Sequence, residues 1–204
     1  MSIRFTFVRH GSTQWNALRR FQGQKEIPLD ARGRAQALVL AALLRDEAFD
    51  YAVSSDLSRA YDTAAAICGD GPVHRDPRWR EFDFGEWEGL TWDEICERRP
   101  YLRERAWSSA KLYAPEGGES FDVVQARVAQ SLAELQASTH QNVLVVTHAG
   151  PLHAMLHTFF GDRQADLQEV FDVRFSPASV TRVSIENGLP QLLSLNEIAH
   201  LPVE

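Results

Sequence analysis

Two histidines follow the two clearest strand candidates of the chain. His10 comes directly after the apolar segment 3–9, and His148 comes directly after the apolar segment 142–147. Small residues follow each histidine, so the backbone there can approach a ligand closely. In a parallel sheet, ligands bind outside the carboxyl ends of the strands. The two imidazoles are therefore candidates for one functional site.

Two arginines stand beside the same loops. Arg9 directly precedes His10, and Arg59 opens a predicted helix after the run Ser-Ser-Asp-Leu-Ser. A guanidinium keeps its charge and presents a planar fork of donors that matches phosphate oxygens. Each of these residues alone is more often structural or exposed. Together with the two histidines, they predict a pocket for a phosphate group that carries two negative charges.

The composition narrows the classes of protein. With 204 residues, the chain suits one domain with room for an insertion. Apolar residues make up 44% and charged residues 24%, which excludes a disordered or fibrous chain. The net charge of −7 argues against a nucleic-acid partner, whereas a small anionic substrate needs only a local positive cluster. The apolar runs are too short for a membrane span, so we expect no membrane association.

The cysteines and the first residues bear on the compartment. Cys68 and Cys96 are too few for a disulfide framework. The first ten residues lack the apolar core and the cleavage site of a signal peptide. We therefore expect a reducing, cytoplasmic location.

Strand and helix patterns alternate along the chain. Strands are predicted at 3–9, 51–54 and 142–147, and helices at 31–44, 58–68, 91–99, 120–137 and 151–160. The segments 180–185 and 192–195, separated by the turn at Asn187 and Gly188, are candidates for antiparallel strands at the sheet edge. The alternation predicts a three-layer α/β fold, with a mainly parallel sheet and helices on both faces. Since no linker is evident, we expect one domain over 1–204, with a small helical cap at about 76–118.

Six short segments resemble, in order, the signature of the histidine phosphatase superfamily, the phosphoglycerate mutase-like proteins. They are Val-Arg-His-Gly-Ser-Thr-Gln-Trp-Asn (8–16), Phe-Gln-Gly (21–23), Ser-Ser-Asp-Leu-Ser-Arg-Ala (54–60), Glu-Phe-Asp-Phe-Gly (81–85), Gly-Gly-Glu-Ser (117–120) and Val-Thr-His-Ala-Gly (146–150). Six ordered segments are far more specific than a single Arg-His-Gly. The run 82–89 resembles small bacterial phosphatases of the α-ribazole phosphatase and broad-specificity types.

The resemblance implies a mechanism. His10 would be the nucleophile and would form a phosphohistidine. Glu81 would protonate the leaving alkoxide and then deprotonate the water that cleaves the phosphohistidine. A carboxyl with an ordinary pKa of about 4.3 is mostly ionised at pH 7. We therefore expect burial and the substrate dianion to raise the pKa of Glu81.

The resemblance also assigns the phosphate-binding residues. The phosphoryl oxygens would be held by Arg9, Arg59, His148 and Asn16, and the site completed by Thr13, Gln22, Gly23 and the backbone of Ala149. Since arginines and histidines supply the positive charge, no metal or other cofactor is expected. Two residues depart from the family pattern: Ser12 stands where many members have Glu, and Ala149 where many have a second Gly.

Three functions stay open from the sequence. The first is hydrolysis of a small phosphorylated substrate, and the second is a 2,3-bisphosphoglycerate-dependent phosphoglycerate mutase. The short interval 81–117 favours hydrolysis, but four cap arginines could bind a second anionic group: Arg98, Arg99, Arg103 and Arg105. The third is a catalytically idle relative that binds a partner protein, which the complete set of site residues disfavours. The late strands could also pair in a homodimer.

Overall fold

One mixed sheet organises the part of the chain that the structure, a computed structural model, describes: residues 2–103, 115–161 and 172–202. Its strands are β1 (Ser2–Arg9), β2 (Tyr51–Ser54), β3 (His74–Arg75), β4 (Asn142–Thr147), β5 (Val180–Glu186) and β6 (Leu189–Glu197). In space they follow the order β3-β2-β4-β1-β5-β6. The first four run parallel, and β5 and β6 are antiparallel additions beside β1. The predicted mainly parallel α/β sheet is confirmed.

The helices of the described ranges are α1 (Gln14–Ala17), α2 (Ala31–Leu43), α3 (Ser58–Cys68), α4 (Trp92–Arg98), α5 (Phe121–Ala137) and α6 (Ala149–Phe160), with 3₁₀ turns at Pro77–Trp79, Gly85–Trp87 and Pro100–Leu102. Asp30, Thr91 and Ser120 cap α2, α4 and α5, each accepting a hydrogen bond from a first-turn backbone N–H. These caps explain why the sequence pattern located the helix starts. None of these helices combines the length and apolar character needed to cross a membrane.

The pleat of the sheet divides the core into two layers. Phe7 and Val145 face one side and pack in a cluster with residues of α5 and α6. Val8 and Val146, the next residues along, face the other side and pack with residues of α2 and α3. Successive strand residues point to opposite faces, so the segments 5–8 of β1 and 143–146 of β4 are mostly apolar and are buried on both sides. The predicted three-layer arrangement follows from this pattern.

The register of the two central strands brings their ends together. In the parallel pair β1 and β4, Arg9 stands opposite Thr147. His10 and His148 therefore leave the sheet side by side. The backbone N–H of His10 still donates to the carbonyl oxygen of Thr147, at 2.9 Å. The loops after these strands begin from a fixed point.

A smaller core lies within the region where the cap is predicted. Trp87, Ile95, Cys96 and Leu102 form a buried cluster of their own. Cys96 in this cluster and Cys68 on α3 are both free. Part of the proposed cap, 104–114, lies outside the described residues, as does Arg105. The cap boundaries at about 76–118 and the single domain over 1–204 stay predictions.

The late strands differ from the expectation. β6 extends well beyond the predicted segment 192–195, and β5 lies between β1 and β6. The expectation that both would lie at the edge is wrong for β5, which is buried on both faces as an internal strand is. The intervening turn is as predicted, with positive φ at Asn187 and Gly188. The sequence pattern also missed α1 and β3, which are too short to show a period.

The first prediction concerns the contact between the His10 loop and α2. A Cβ at Gly33 would lie 2.0 Å from the carbonyl oxygen of Ser12. We expect Gly33→Ala to lower the free energy of unfolding by about 1–3 kcal/mol, because the backbone must shift to relieve this contact. Urea unfolding measures the change. Gly161→Ala is the matched control, because no described atom lies within 4 Å of a Cβ there. Equal stability of the two variants would contradict the prediction.

Candidate active site

His10 is fixed through both its backbone and its ring. Its carbonyl oxygen accepts a hydrogen bond from the N–H of Ala178 at 3.0 Å. Its Nδ1 lies 2.7 Å from the carbonyl oxygen of Gly11. Because a carbonyl oxygen can only accept, Nδ1 carries the proton of the neutral ring and Nε2 keeps its lone pair. This is the tautomer that a nucleophilic imidazole requires.

His148 has the complementary tautomer. It is completely buried at the N-terminus of α6, and its Nδ1 accepts a hydrogen bond from Nε of Arg59 at 3.3 Å. Since an arginine can only donate, the proton of the neutral ring is on Nε2. The ring centroids of His10 and His148 are 5.0 Å apart. One imidazole therefore offers a lone pair beside another that offers an N–H.

Arg59 is buried completely, and three neutral acceptors hold it. Besides His148, its guanidinium donates to the carbonyl oxygens of Lys25 at 2.8 Å and Gly23 at 2.7 Å. Gly23 has a φ of +54°, and a Cβ there would overlap the carboxylate of Glu88. Burial lowers the pKa of Arg59 to about 10, against the opposing charge of Glu81. The side chain is therefore still a cation at neutral pH.

Three buried polar atoms of this region have no hydrogen-bond partner among the described residues. They are Nε of Arg9, Oε1 of Gln22 and Nε2 of His148. The Nη1 of Arg9 is occupied, since it donates to the carbonyl oxygen of Phe175 at 2.5 Å. Buried polar groups in proteins are nearly always paired. The two unpaired N–H donors, Nε of Arg9 and Nε2 of His148, are suited to the oxygens of an anionic ligand, whereas Oε1 of Gln22 can only accept.

The loop after His10 is tied to the helices beneath it. The N–H of Gly11 donates to the hydroxyl of Thr63 at 3.1 Å, and the N–H of Ser12 donates to Oε1 of Gln36 at 2.8 Å. Sequence reasoning did not identify Thr63 or Gln36. The sequence feature that could have identified them is a polar residue on the buried face of α3 and of α2.

Thr13 and Asn16 belong to one local motif. Thr13 caps α1, and its hydroxyl accepts a hydrogen bond from the N–H of Asn16 at 3.2 Å. The Oδ1 of Asn16 in turn accepts from the N–H and the hydroxyl of Thr13, each at 3.0 Å. This capping box uses the oxygen of the Asn16 amide. The Nδ2 group is left to donate to a ligand.

Glu81 lies in the loop between the 3₁₀ turns Pro77–Trp79 and Gly85–Trp87. Its Oε1 accepts hydrogen bonds from the N–H groups of Phe82 at 2.9 Å and Gly150 at 3.0 Å. A Cβ at Gly150 would lie 2.2 Å from that oxygen, so a glycine is needed for this approach. Burial raises the pKa of Glu81, although the Phe82 N–H and the nearby arginines oppose the shift. A carboxyl that holds its proton nearer to neutral pH is suited to general acid catalysis.

The two imidazoles are kept neutral. Burial lowers the pKa of His10 well below its ordinary value, and the charges of Arg59 and Arg9 lower it further. Burial and then Arg59 do the same for the pKa of His148. The positive charge of the site therefore comes from the arginines, and the nucleophilic nitrogen of His10 stays unprotonated.

The sequence matches a known protein family over nearly its whole length. The family described as the histidine phosphatase superfamily (branch 1) matches residues 5–198. This chain belongs to that superfamily. Phosphoserine phosphatase 1 of Hydrogenobacter thermophilus is 32% identical over 202 residues, which are 98% of this chain and 94% of the relative.

Solved structures of histidine phosphatases share the fold. A mycobacterial glucosyl-3-phosphoglycerate phosphatase, solved as a complex with VO3, has a TM-score of 0.86 at 34% identity, over 95% of this chain and 98% of its own. The α-ribazole phosphatase of Shigella flexneri has a TM-score of 0.83 at 31% identity, over 96% of each chain. Some relatives carry the phosphoglycerate mutase name, among them a phosphoglycerate mutase-like protein of Arabidopsis thaliana. The resemblance seen in the sequence is confirmed at the level of the superfamily.

In this histidine phosphatase, distant segments supply the residues that the sequence singled out. His10 and His148 pack ring beside ring, and Arg59 binds His148 directly. Glu81 reaches the same place through its hydrogen bond to Gly150 and interacts electrostatically with Arg9 and Arg59. Ala149 begins α6, directly after His148.

The cap arginines of this histidine phosphatase have other surroundings. Arg99 pairs with Glu86 at 2.5 Å and with Glu116 at 3.5 Å. Arg98 and Arg103 are exposed. The charge of Arg99 is therefore balanced within the cap.

The second prediction concerns stability against pH. The pKa of His148 is lowered on folding, so below about pH 6.5 the unfolded state binds a proton that the folded state does not. Acid therefore favours unfolding at this residue. We expect the stability advantage of the wild type over His148→Gln to shrink by about 1 kcal/mol as the pH falls from 6.5 to 5.5, because the unfolded histidine goes from half to almost fully protonated over this range.

Urea unfolding of the two ligand-free proteins at a series of pH values measures this difference. The same series above pH 7.5 is the internal control, because the difference between the proteins should be constant there. A difference that stays constant down to pH 5.5 would contradict a neutral, buried His148.

Proposed function

We propose that this protein hydrolyses small phosphomonoesters through a phosphohistidine formed on His10, with Glu81 as the general acid. The chain is a phosphoric monoester hydrolase, as a member of the histidine phosphatase superfamily with phosphatases among its relatives. One observation carries the proposed chemistry. The buried ring of His10 has Nδ1 fixed on the carbonyl oxygen of Gly11, so Nε2 is free to attack.

The first step transfers the phosphoryl group to the enzyme. The lone pair of His10 Nε2 forms a bond to phosphorus, and the bond between phosphorus and the ester oxygen breaks with its electron pair on oxygen. Glu81 gives its proton to that oxygen and becomes a carboxylate. Since Oε1 is engaged by two N–H groups, Oε2 is the oxygen that holds the transferable proton. The alcohol then leaves.

The second step releases phosphate. The carboxylate of Glu81 takes a proton from a water molecule, whose oxygen attacks phosphorus. The bond between phosphorus and Nε2 breaks, and its electron pair returns to His10. Nucleophile and acid are then in their starting states, and inorganic phosphate leaves.

The arginines stabilise both transition states. Charge accumulates on the equatorial oxygens of the transferring phosphoryl group, and donors fixed in advance stabilise it most effectively. Arg9 Nε and His148 Nε2 are buried donors without a partner among the described residues. The side chains of Asn16 and Gln22 and the backbone at Gly23 and Ala149 would complete the binding of the phosphate. Thr13 would contribute by orienting Asn16 through the hydrogen bond from its hydroxyl.

Hydrolysis is favoured over the mutase reaction. A mutase would bind a second anionic group and return the phosphoryl group to it. The cap offers arginines for this purpose, but Arg99 is already paired with Glu86 and Glu116. A catalytically idle relative that binds a partner protein would need neither a nucleophile of fixed tautomer nor a buried acid, and both occur here.

The substrate class, the cellular location and the oligomeric state stay predictions. The net charge of −7 favours a small phosphorylated substrate over nucleic acid. Two free cysteines favour a reducing, cytoplasmic location. β6 ends the described sheet, so a homodimer would form there if the strand paired with its copy.

The third prediction tests the phosphohistidine. With 2,4-dinitrophenyl phosphate in EDTA, we expect the wild type to release phosphate and Glu81→Gln to accumulate phosphate on His10. The variant can form the intermediate from a leaving group that needs no proton, but it lacks the base that activates water. An alkaline quench followed by peptide mass spectrometry locates the phosphate.

His10→Ala should show neither release nor labelling, whereas His74→Ala, at an exposed residue of β3, should behave as the wild type. Denaturation curves establish that each variant is folded. Release that EDTA abolishes, or label on another residue, would overturn the proposed mechanism.

The fourth prediction concerns the leaving group. Phe82 directly follows Glu81 in the chain. Its ring stacks with those of Phe84 and Phe121, with ring centroids 5.7 Å and 6.2 Å apart. We expect this aromatic surface to favour apolar or ring-bearing alcohols, so kcat/KM should be higher for hydrophobic aryl phosphates than for 3-phosphoglycerate or phosphoserine. Phosphate release from matched substrate panels measures this. A strong preference for 3-phosphoglycerate would contradict it.

A further inference from the structure

Arg127 on α5 forms hydrogen bonds with the backbone of the loop that carries Glu81. Nη1 of Arg127 donates to the carbonyl oxygens of Arg78 at 2.7 Å and Arg80 at 2.6 Å, and Nη2 donates to that of Glu81 at 3.0 Å. Three carbonyl groups within four residues therefore point at one guanidinium. The Arg127 side chain is only 15% exposed, so these hydrogen bonds are largely shielded from water.

Glu119 fixes the guanidinium and holds the far side of the same loop. Its two carboxylate oxygens accept from Nε of Arg127 at 3.2 Å and from Nη2 at 2.9 Å. The same carboxylate accepts the N–H of Asp83 at 3.0 Å, and the N–H of Glu119 donates to the carbonyl oxygen of Asp83 at 2.8 Å. The pair Arg127 and Glu119, here called the clamp, thus binds the backbone on both sides of Glu81.

Gln24 connects the clamp to the phosphate-binding segment. Its Nε2 lies 3.4 Å from both the carbonyl oxygen of Glu81 and the carboxylate of Glu119, and its Oε1 accepts from Arg80 at 3.2 Å. Gln22 lies two residues before Gln24, and Gly23 between them supplies a carbonyl oxygen to Arg59. The position of the acid is therefore linked to the position of the phosphate.

The need for such a clamp follows from where Glu81 lies. The histidines stand at strand ends, which the sheet fixes, but Glu81 lies in a loop between two 3₁₀ turns. An acid must stand within hydrogen-bond distance of the leaving oxygen, and a misplacement of about 1 Å can cost about 10²-fold in rate. We infer that Arg127 and Glu119 are positioning residues, which hold Glu81 where it protonates the leaving alcohol. This inference rests on the proposed role of Glu81 as the acid.

Leaving-group dependence tests the inference, because only a poor leaving group needs the acid. We compare kcat/KM for an alkyl phosphate with kcat/KM for 2,4-dinitrophenyl phosphate, since kcat/KM reports the steps up to alcohol release. Glu81→Gln sets the reference and should lose about 10²-fold or more on the alkyl ester only. Arg127→Met and Glu119→Gln should lose most of the same factor on the alkyl ester and less than about fivefold on the dinitrophenyl ester.

Arg182→Met is the matched control for the loss of a partly exposed arginine that pairs with carboxylates. Arg182 on β5 also pairs with two carboxylates, those of Glu47 and Glu197. This variant should not lower kcat/KM for the alkyl ester more than kcat/KM for the dinitrophenyl ester. If Arg127→Met does not fold, Glu119→Gln keeps the test available, because the amide preserves the size of the side chain.

The outcomes separate the two levels of the proposal. If Glu81→Gln shows no difference between the leaving groups, Glu81 is not the acid and the proposed function fails. If Glu81→Gln shows the difference but both clamp variants lose the same factor on both substrates, the clamp is merely structural and the inference is overturned.

Charge and geometry can also be distinguished. Arg127→Lys keeps the cation but cannot reach three carbonyl groups and a carboxylate at once. We expect it to show the leaving-group difference of Arg127→Met. Wild-type rates on both esters in Arg127→Lys would show that charge alone suffices, which would overturn the positioning role.

Discussion

Arg59 places a positive charge in the interior, and its hydrogen-bond acceptors in the described chain are two carbonyl oxygens and Nδ1 of His148. Burial of a charge without an opposite charge in contact is costly. Glu81 interacts with this cation electrostatically, but its own pKa is raised. In the proposed function, a phosphate dianion supplies the missing negative charge. The substrate would then complete the site, whereas a neutral ligand of the same shape would leave the cation uncompensated.

The same charge affects the protonation of the proposed nucleophile. Arg59 is the largest contribution after burial to the lowered pKa values of His10 and His148. The cation that we propose to bind the phosphate therefore also favours the unprotonated form of His10. Burial acts in the opposite direction on the carboxyl of Glu81 and favours its protonated form. Burial in one pocket thus favours an unprotonated imidazole and a protonated carboxyl, as the proposed first step requires.

The sequence could predict the residues that stand at fixed points of the fold. His10 and His148 follow strands whose apolar character is plain, and Asp30, Thr91 and Ser120 cap their helices as their residue types indicate. Such signals are local, since they depend on neighbours in the chain.

The residues that hold the site together could not be predicted in this way. Their partners are backbone groups far away in the sequence. Thr63 binds one 52 residues away, Arg127 binds one 46 residues away, and Gln36 binds one 24 residues away. Thr63 and Gln36 are marked only as polar residues on buried helix faces, and the local pattern does not show which backbone group each side chain binds. The same holds for the place of β5, because an antiparallel strand between β1 and β6 has no marker for its neighbours. Long-range hydrogen bonding, rather than periodicity, decides these positions.

The proposed mechanism assigns phosphate binding and leaving-group activation to structurally different parts of the molecule. The proposed nucleophile and phosphate-binding residues stand at the ends of β1 and β4 and in the first turn of α3, whereas the proposed acid lies in a loop. Strand ends keep their geometry when the surroundings change, and loops vary readily. A fixed phosphate site with an adjustable acid loop can therefore accept different alcohols without losing its chemistry. Relatives named for different phosphate esters match this chain over nearly its whole length, as such a division would allow. The division also means that the loop needs support of its own, since the sheet that fixes His10 does not reach Glu81.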